Sequence, residues 1–322
     1  MGHMIDGIWE TKRPMGETFV RKGSQFRHWV TADGSAGPSG DAGFKAEAGR
    51  YHLYVSLACP WAHRTLIFRK LKKLEAAIDV SVVHWLMGDD GWTFEPGEGV
   101  IADPVNHVRL MREIYALADA RYTGTVTVPV LWDKQRKTIV NNESADIIRM
   151  FNSAFDALPT TAVGDYYPEA LRQQIDDINA RVYDTVNNGV YRSGFARSQE
   201  AYEEAVRPLF ETLDGLEQRL AEQPYLVGEQ ITEADWRLFT TLIRFDSVYV
   251  GHFKCNLRRL VEYPNLWAYT RQLYQQAGIR ETCNFEHIKH HYYQSHESVN
   301  PTGIVPLGPD IDFDAPHGRG AG

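Results

Sequence analysis

An α/β half followed by an all-helical half is the architecture this sequence predicts, and three observations carry the prediction. An alternating strand pattern, Tyr51-His52-Leu53-Tyr54-Val55-Ser56-Leu57, gives way at Ala58-Cys59-Pro60-Trp61-Ala62-His63-Arg64 to a helical one. A proline, Pro129, interrupts a run of β-formers, Val126-Thr127-Val128-Pro129-Val130-Leu131-Trp132. From about residue 165 the pattern is helical almost throughout.

Taken in order, residues 1–48 are rich in Gly, Ser, charge and aromatics, show no sustained period, and read as an extended N-terminal arm. Met1-Gly2-His3-Met4 is compatible with a cloning remnant before Ile5, and neither a signal peptide nor an Arg-rich transit segment is visible. Residues 49–160 form the first domain. A strand over 51–57, a helix over 60–74 with Leu66, Ile67, Leu71 and Leu74 on one face, and a strand over 80–86 make a βαβ unit. The loop from Gly88 to Asn106 is too long for a plain connector, and loops of that length are more often functional. A helix near 107–119, strands over 126–132 and 138–140, and a helix starting at Asn142-Glu143-Ser144 complete the order β-α-β-α-β-β-α, that of a thioredoxin-like domain. The conflict of Pro129 with a central strand disappears if the Val128–Pro129 bond is cis at the strand start; a trans proline on an edge strand is the alternative. A Thr161-to-Asp165 linker leads to a helical domain over 165–295, with amphipathic stretches near 166–188, 199–222, 233–249, 264–277 and 285–294. Asn187-Asn188-Gly189 breaks the first and Pro224 ends the second, while Thr232 and Asp235 make a capping-box-like start for the third. Residues 296–322, rich in proline and glycine, read as a surface tail.

Composition narrows the function. A hydrophobic content of 43% and a charged content of 24% are those of a soluble globular protein, and no apolar run approaches the roughly 18 residues of a membrane span. A net charge of −8 argues against nucleic acid as the partner. Three cysteines, Cys59, Cys255 and Cys283, are too few for a disulfide framework and indicate a reducing, cytoplasmic compartment; Cys255 and Cys283 read as small core residues.

Cys59 is the candidate nucleophile. Pro60 suits the first helical turn, because its φ is preset and the N–H it lacks would have been unpaired there. Cys59 then falls at the N-cap, where unpaired N–H groups and the positive end of the helix dipole favour thiolate over thiol and bring such cysteines from about 8.5 to between about 3.5 and 7.5 in pKa. His63 and Arg64 add positive potential. The fourth residue, where a second cysteine would resolve a mixed disulfide, is Ala62, so release requires an outside thiol, glutathione in a reducing cytosol. The competing reading is a buried, inert cysteine.

Cys59-Pro60-Trp61-Ala62, Thr127-Val128-Pro129, Asn142-Glu143-Ser144-Ala145 and Thr232-Glu233-Ala234-Asp235, one half thioredoxin-like and the other helical, together resemble the cytosolic glutathione transferases. Gly91-Trp92, the run Asn188-Gly189-Val190-Tyr191-Arg192-Ser193-Gly194-Phe195-Ala196 and His290-His291-Tyr292-Tyr293 are similar to the glutathionyl-hydroquinone reductases, the Xi class. The resemblance runs from about Phe44 to Pro309. It implies that Cys59 attacks the glutathione sulfur of a glutathionyl-hydroquinone, that the ring carbon is protonated, and that a second glutathione releases GSSG. It also implies that Tyr191 handles the proton while Tyr249 and Tyr292 keep the sulfur ionised, since a phenol donates to an anion without adding a charge. By the same resemblance glutathione pairs with the Val126-Thr127-Val128-Pro129 backbone, meets Glu143-Ser144 through its γ-glutamyl end, and packs on Trp92. No metal is implied: His287, His290, His291 and His296 include an i, i+4 pair, but acidic or cysteine ligands are missing nearby. A homodimer built through the helical half is expected. An omega-like thiol transferase acting on dehydroascorbate or protein mixed disulfides is the nearest alternative, and a non-enzymatic transferase-fold binding protein a second.

Overall fold

The computed structural model describes residues 2–11 and 23–320, in two compact units that divide within the last helix. The first unit contains residues 2–11, 23–164 and 282–291, the second residues 165–281 and 292–320.

In the first unit a hairpin, β1 (His3–Ile5) and β2 (Ile8–Glu10), precedes a four-stranded sheet of β3 (Tyr51–Val55), β4 (Asp79–Val82), β5 (Val130–Asp133) and β6 (Thr138–Asn141). The sheet order is β4-β3-β5-β6, with β3 parallel to β4 and antiparallel to β5, and β5 antiparallel to β6. All five residues of β3 are buried, which fits its central place. Arg50 and Asp133 form a buried ion pair at 2.6 Å that ties the entry of β3 to the exit of β5. Helices α1 (Pro60–Leu71) and α3 (Ser144–Ser153) pack together, and α2 (Met111–Ala118) lies near β6. From Pro60 to Phe68 every residue of α1 is buried, so this helix has no wet face until its last turn.

The strand expected over 126–132 begins only at Val130. Pro129 has no N–H for the ladder, and the Val128–Pro129 bond is cis. The backbone of Thr127 finds its partner instead in the Tyr115 hydroxyl, which accepts from Thr127 N at 3.2 Å and donates to Thr127 O at 2.9 Å. Helix α2 starts later than the pattern suggested because the Glu113 carboxylate caps Arg109 N and Leu110 N, at 3.0 and 2.8 Å. The long loop is held as a built structure: Asp103 accepts from the Tyr54 hydroxyl and from the amides of Val105, Asn106 and Val108. The stretch read as an extended arm differs most. It opens with the hairpin, and Met4 is buried and exchanges both backbone hydrogen bonds with Gly124; residues 12–22 of that stretch lie outside the described residues.

The second unit is helical: α4 (Arg172–Val182), α5 (Gly189–Gly194), α6 (Gln199–Glu222), α7 (Glu233–Arg244), α8 (Pro264–Tyr274) and the end of α9 (Phe285–Ser295). Two of the expected helices finish in a π-helical turn, Tyr183–Asn187 after α4 and Phe245–Tyr249 after α7. Gly189 therefore starts α5 directly rather than breaking the chain into a loop. Gly194 closes α5 against Phe253, whose ring occupies the place a β-carbon would take. Arg319, in the segment read as a surface tail, donates to the carbonyls of Leu220, Gln223 and Pro224 at 2.8 to 3.2 Å, which caps the C-terminal end of α6.

The start of α7 carries the expected capping box, and it is more than local. The fully buried Asp235 carboxylate accepts from Thr232 N at 2.7 Å, Thr232 Oγ1 at 3.1 Å, Leu226 N at 2.9 Å and the Tyr269 hydroxyl at 2.6 Å. Asp235→Ala leaves two buried amides and a buried phenol without an acceptor, and each such group costs about 1 to 3 kcal/mol. Denaturant unfolding should register a loss of at least about 3 kcal/mol, with Asp235→Asn, which keeps one acceptor oxygen, falling between the two.

Candidate active site

In the first unit the candidate nucleophile stands at the start of α1. Cys59 is the N-cap, in an extended conformation (φ −73°, ψ 121°), with Pro60 as the first helical residue. Its carbonyl accepts from His63 N at 3.0 Å, and its half-buried thiol donates to Val128 O across 3.6 Å. The thiol therefore sits at the positive end of a buried helix. Arg64, one turn further, is 1% exposed and lies over the Trp61 ring at 4.6 Å. His63 is fully buried, shares a hydrogen bond of 2.8 Å with Thr282 Oγ1, and has Cys283 Sγ at 3.8 Å.

The peptide beside Cys59 is fixed by Tyr115, a residue the sequence did not single out. Besides its two bonds to Thr127, the phenol oxygen accepts from Asn142 Nδ2 at 3.1 Å, and Asn142 directly precedes Glu143. Glu143 is the N-cap of α3, with Oε1 accepting from Ala145 N at 3.2 Å, and Ser144 is buried next to it. Trp92, also buried, stacks on the His291 ring at 4.8 Å and 25°, while His291 Nδ1 meets Trp85 O at 2.8 Å.

In the second unit Tyr191, Tyr249 and Tyr292, 43 and 101 residues apart from one another in the chain, converge. The Tyr292 oxygen lies 2.5 Å from that of Tyr191 and 3.0 Å from that of Tyr249. Two hydrogen bonds consume two of the three hydroxyl protons, and the third is left for an acceptor outside the trio. Tyr249 and Tyr292 are buried and Tyr191 is half-buried, with Phe253 stacked on Tyr249 at 5.6 Å. Burial, and then the neighbouring phenols of Tyr191 and Tyr249, push Tyr292 well above the ordinary tyrosine pKa, so it stays protonated.

The remaining candidates are structural. Burial pushes the Cys255 thiol up to about 12, which keeps it inert. Cys283 is half-buried rather than in the core. His287 meets Glu98 O at 2.6 Å, His290 pairs at 3.3 Å with Glu286, an acidic neighbour where the sequence reading expected none, and His296 Nδ1 meets His252 Nε2 at 3.1 Å. Among the described residues no group of three or more His, Cys, Asp or Glu side chains is arranged to hold a metal ion, and none of their helices is long and apolar enough to cross a membrane.

A thiol at a helix start beside a cis-proline loop, in a thioredoxin-like unit joined to a helical one, is the arrangement of a glutathione transferase. Residues 58–154 match the family model for the glutathione S-transferase N-terminal domain, and residues 199–272 that for the C-terminal domain. The chain is 58% identical to glutathionyl-hydroquinone reductase YqjG of Escherichia coli (strain K12), over 99% of this chain and 98% of that protein. It is 55% identical to glutathionyl-hydroquinone reductase PcpF of Sphingobium chlorophenolicum, over 96% of each. Among solved structures, glutathione-bound YqjG superposes with a TM-score of 0.93 at 56% identity, covering 99% of both chains, and a Xi class transferase from Natrialba magadii with 0.91 at 50%, covering 99% of this chain and 96% of that one. The chain belongs to the glutathione S-transferases, in their glutathionyl-hydroquinone reductase, or Xi, class.

The trio makes its own prediction. Because Tyr292 is buried and bonded to both other phenols, the phenolate absorbance that disappears in Tyr292→Phe should titrate above the ordinary value of about 10. An inflection at or below that value contradicts the geometry.

Proposed function

We propose that the protein reduces glutathionyl-hydroquinones to free hydroquinones at the expense of glutathione. The observation that carries this reading is Cys59 at the start of a buried helix with Ala62, not a second cysteine, three residues on. The Cys59 thiolate attacks the sulfur of the glutathionyl-hydroquinone. The carbon–sulfur bond breaks, its electron pair goes to the ring carbon, and a proton completes the hydroquinone. Cys59 is left as a mixed disulfide with glutathione, which a second glutathione thiolate attacks, releasing GSSG and the Cys59 thiolate. The ring carbon is reduced and two sulfurs are oxidised, so the step balances.

Tyr191 supplies the proton, and Tyr249 with Tyr292 donates toward the sulfur. The single outward proton of the trio supports a shared role: whichever phenol gives up its proton is recharged along the two internal hydrogen bonds. Glutathione is held by Trp92, by the backbone of Val126, Thr127, Val128 and Pro129, and by Glu143 and Ser144. The start of α3 suits its γ-glutamyl carboxylate, and the Glu143 carboxylate suits its ammonium. An omega-like thiol transferase shares the attack by Cys59 but not the need to protonate a carbon, and the trio favours the hydroquinone reaction.

Mass spectrometry of the products formed from a glutathionyl-hydroquinone tests the reading. Wild type should yield hydroquinone and GSSG, Cys59→Ala none, and Cys59→Ser little, because a serine hydroxyl stays protonated. Tyr191→Phe should lose rate while keeping the low thiol pKa. Tyr249→Phe or Tyr292→Phe should raise that pKa by about one to two units, because either change breaks the chain of phenols that delivers the one outward hydrogen bond to the charged sulfur, worth about 1.5 to 3 kcal/mol. Turnover by Cys59→Ala, or a thiol titrating near the unperturbed value of about 8.5, overturns the assignment.

The same reading makes the protein a cytoplasmic homodimer paired through its helical half: reduced glutathione is its reactant, and transferase folds commonly pair. Light scattering at micromolar concentration should give about twice the 36.7 kDa of one chain, and fractionation should place it with cytoplasmic markers.

A further inference from the structure

We propose that the N-terminal arm is part of the glutathione-binding machinery, with Trp9 and Ser24 as positioning residues for Trp92 and Glu143. This rests on the assignment of Trp92 and Glu143 to glutathione made above.

Trp9 acts on the loop immediately before Trp92. The hairpin β1–β2 is anchored by the Met4–Gly124 pairing and by Gly7 N to Tyr122 O at 3.0 Å, and it lays the Trp9 ring on Gly91. Gly91 has a φ of +71°, and a β-carbon there would lie 2.9 Å from that ring, so both the turn and the close approach require glycine. Trp9 Nε1 donates to Asp89 O at 2.8 Å. The Arg112 guanidinium covers the Trp9 ring at 5.0 Å and donates to Asp90 Oδ1 at 2.8 Å and Asp90 O at 3.2 Å. Residues 89, 90 and 91, the three before Trp92, are therefore each held by Trp9 or by the arginine that packs on it.

Ser24 acts on Glu143 itself. The segment from Ser24 to His28 runs along the end of β6 and the start of α3: Phe26 and Asn142 exchange hydrogen bonds at 3.1 and 3.2 Å, Asn141 Nδ2 donates to His28 O at 3.0 Å, and Arg27 pairs with Asp146. Within it the Ser24 hydroxyl is shared between Glu143 Oε2 at 3.1 Å and Asn142 O at 3.2 Å. Oε1 accepts from Ala145 N at 3.2 Å and from Ser144 Oγ at 3.4 Å while Ser24 holds Oε2, which fixes the plane of the carboxylate. A carboxylate aimed before binding loses less rotamer freedom when the ligand arrives.

Trp9 and Ser24 act through the loop before Trp92 and through Glu143, so the effect belongs to binding and not to chemistry. Steady-state kinetics of the full chain with varied glutathione tests this, alongside thermal unfolding of each variant. Ser24→Ala and Trp9→Ala should each raise KM for glutathione about two- to tenfold with kcat unchanged, the size expected of one net hydrogen bond. Ser24→Thr, which keeps the hydroxyl, should restore it, and Trp9→Phe, which keeps a ring without the N–H, should fall between. Trp92→Ala and Glu143→Gln serve as controls. If these controls leave KM for glutathione unmoved, the assignment of Trp92 and Glu143 is wrong and the proposal falls with it. If they raise it while Ser24→Ala and Trp9→Ala do not, the assignment stands and the arm has no part in binding. A fall in kcat matched to a fall in melting temperature, without rescue by Ser24→Thr, makes the arm merely structural and also overturns the proposal. Ser24→Ala removes one partly exposed hydroxyl and carries the test even if Trp9→Ala fails to fold.

Discussion

The helical unit depends on two buried carboxylates in the first turn of α7. Asp235 gathers the loop before the helix and the Tyr269 phenol of α8, as described above. Its neighbour Glu233, equally buried, accepts from Asn179 of α4 at 3.0 Å and pairs with Arg237 at 2.8 Å, while its amide donates to Tyr166 O at 2.8 Å. Burial pushes the Asp235 carboxyl above the usual range, and four hydrogen bonds pull against that shift. Two such groups are tolerated in an interior only when their acceptors are filled, so they fix α4, α7, α8 and the connecting loop in one arrangement. The tyrosine trio inherits this rigidity, since α7 runs on into the π-helical turn that ends at Tyr249.

The thioredoxin-like unit is organised by a different economy, in which one neutral phenol replaces a stretch of sheet. Pro129 stops the ladder, and the Tyr115 hydroxyl serves Thr127 in its place while also accepting from Asn142. One side chain thus links the peptide beside Cys59 to the start of α3. Burial raises the Tyr115 pKa, so the phenol keeps the proton it donates. The thiol, the adjacent backbone and the start of α3 are held by polar contacts whose donors and acceptors are matched.

What was readable in advance follows the range of the interaction. Pro60 after Cys59 marked a helix start because proline's missing N–H costs nothing only there, and Thr232 with Asp235 marked another because a capping box spans four residues. The conflict between Pro129 and its β-forming neighbours is equally local. The π-helical turns escaped because the hydrophobic pattern barely changes when one turn widens. The tyrosine trio was legible only through the family resemblance: any of sixteen tyrosines satisfies composition, and contacts across 43 and 101 residues leave no spacing to detect.

By itself, then, the sequence determined the order of elements, the two-part architecture and the placement of Cys59 at a helix N-terminus, because propensity, capping and proline geometry act within a few residues. Only the tertiary structure decided which phenols share protons, which hydroxyl steadies Glu143 and which ring lies on Gly91. Those partners are 43 to 119 residues apart, and what selects them is the requirement that every buried donor, acceptor and ring find a complementary neighbour once the chain has closed.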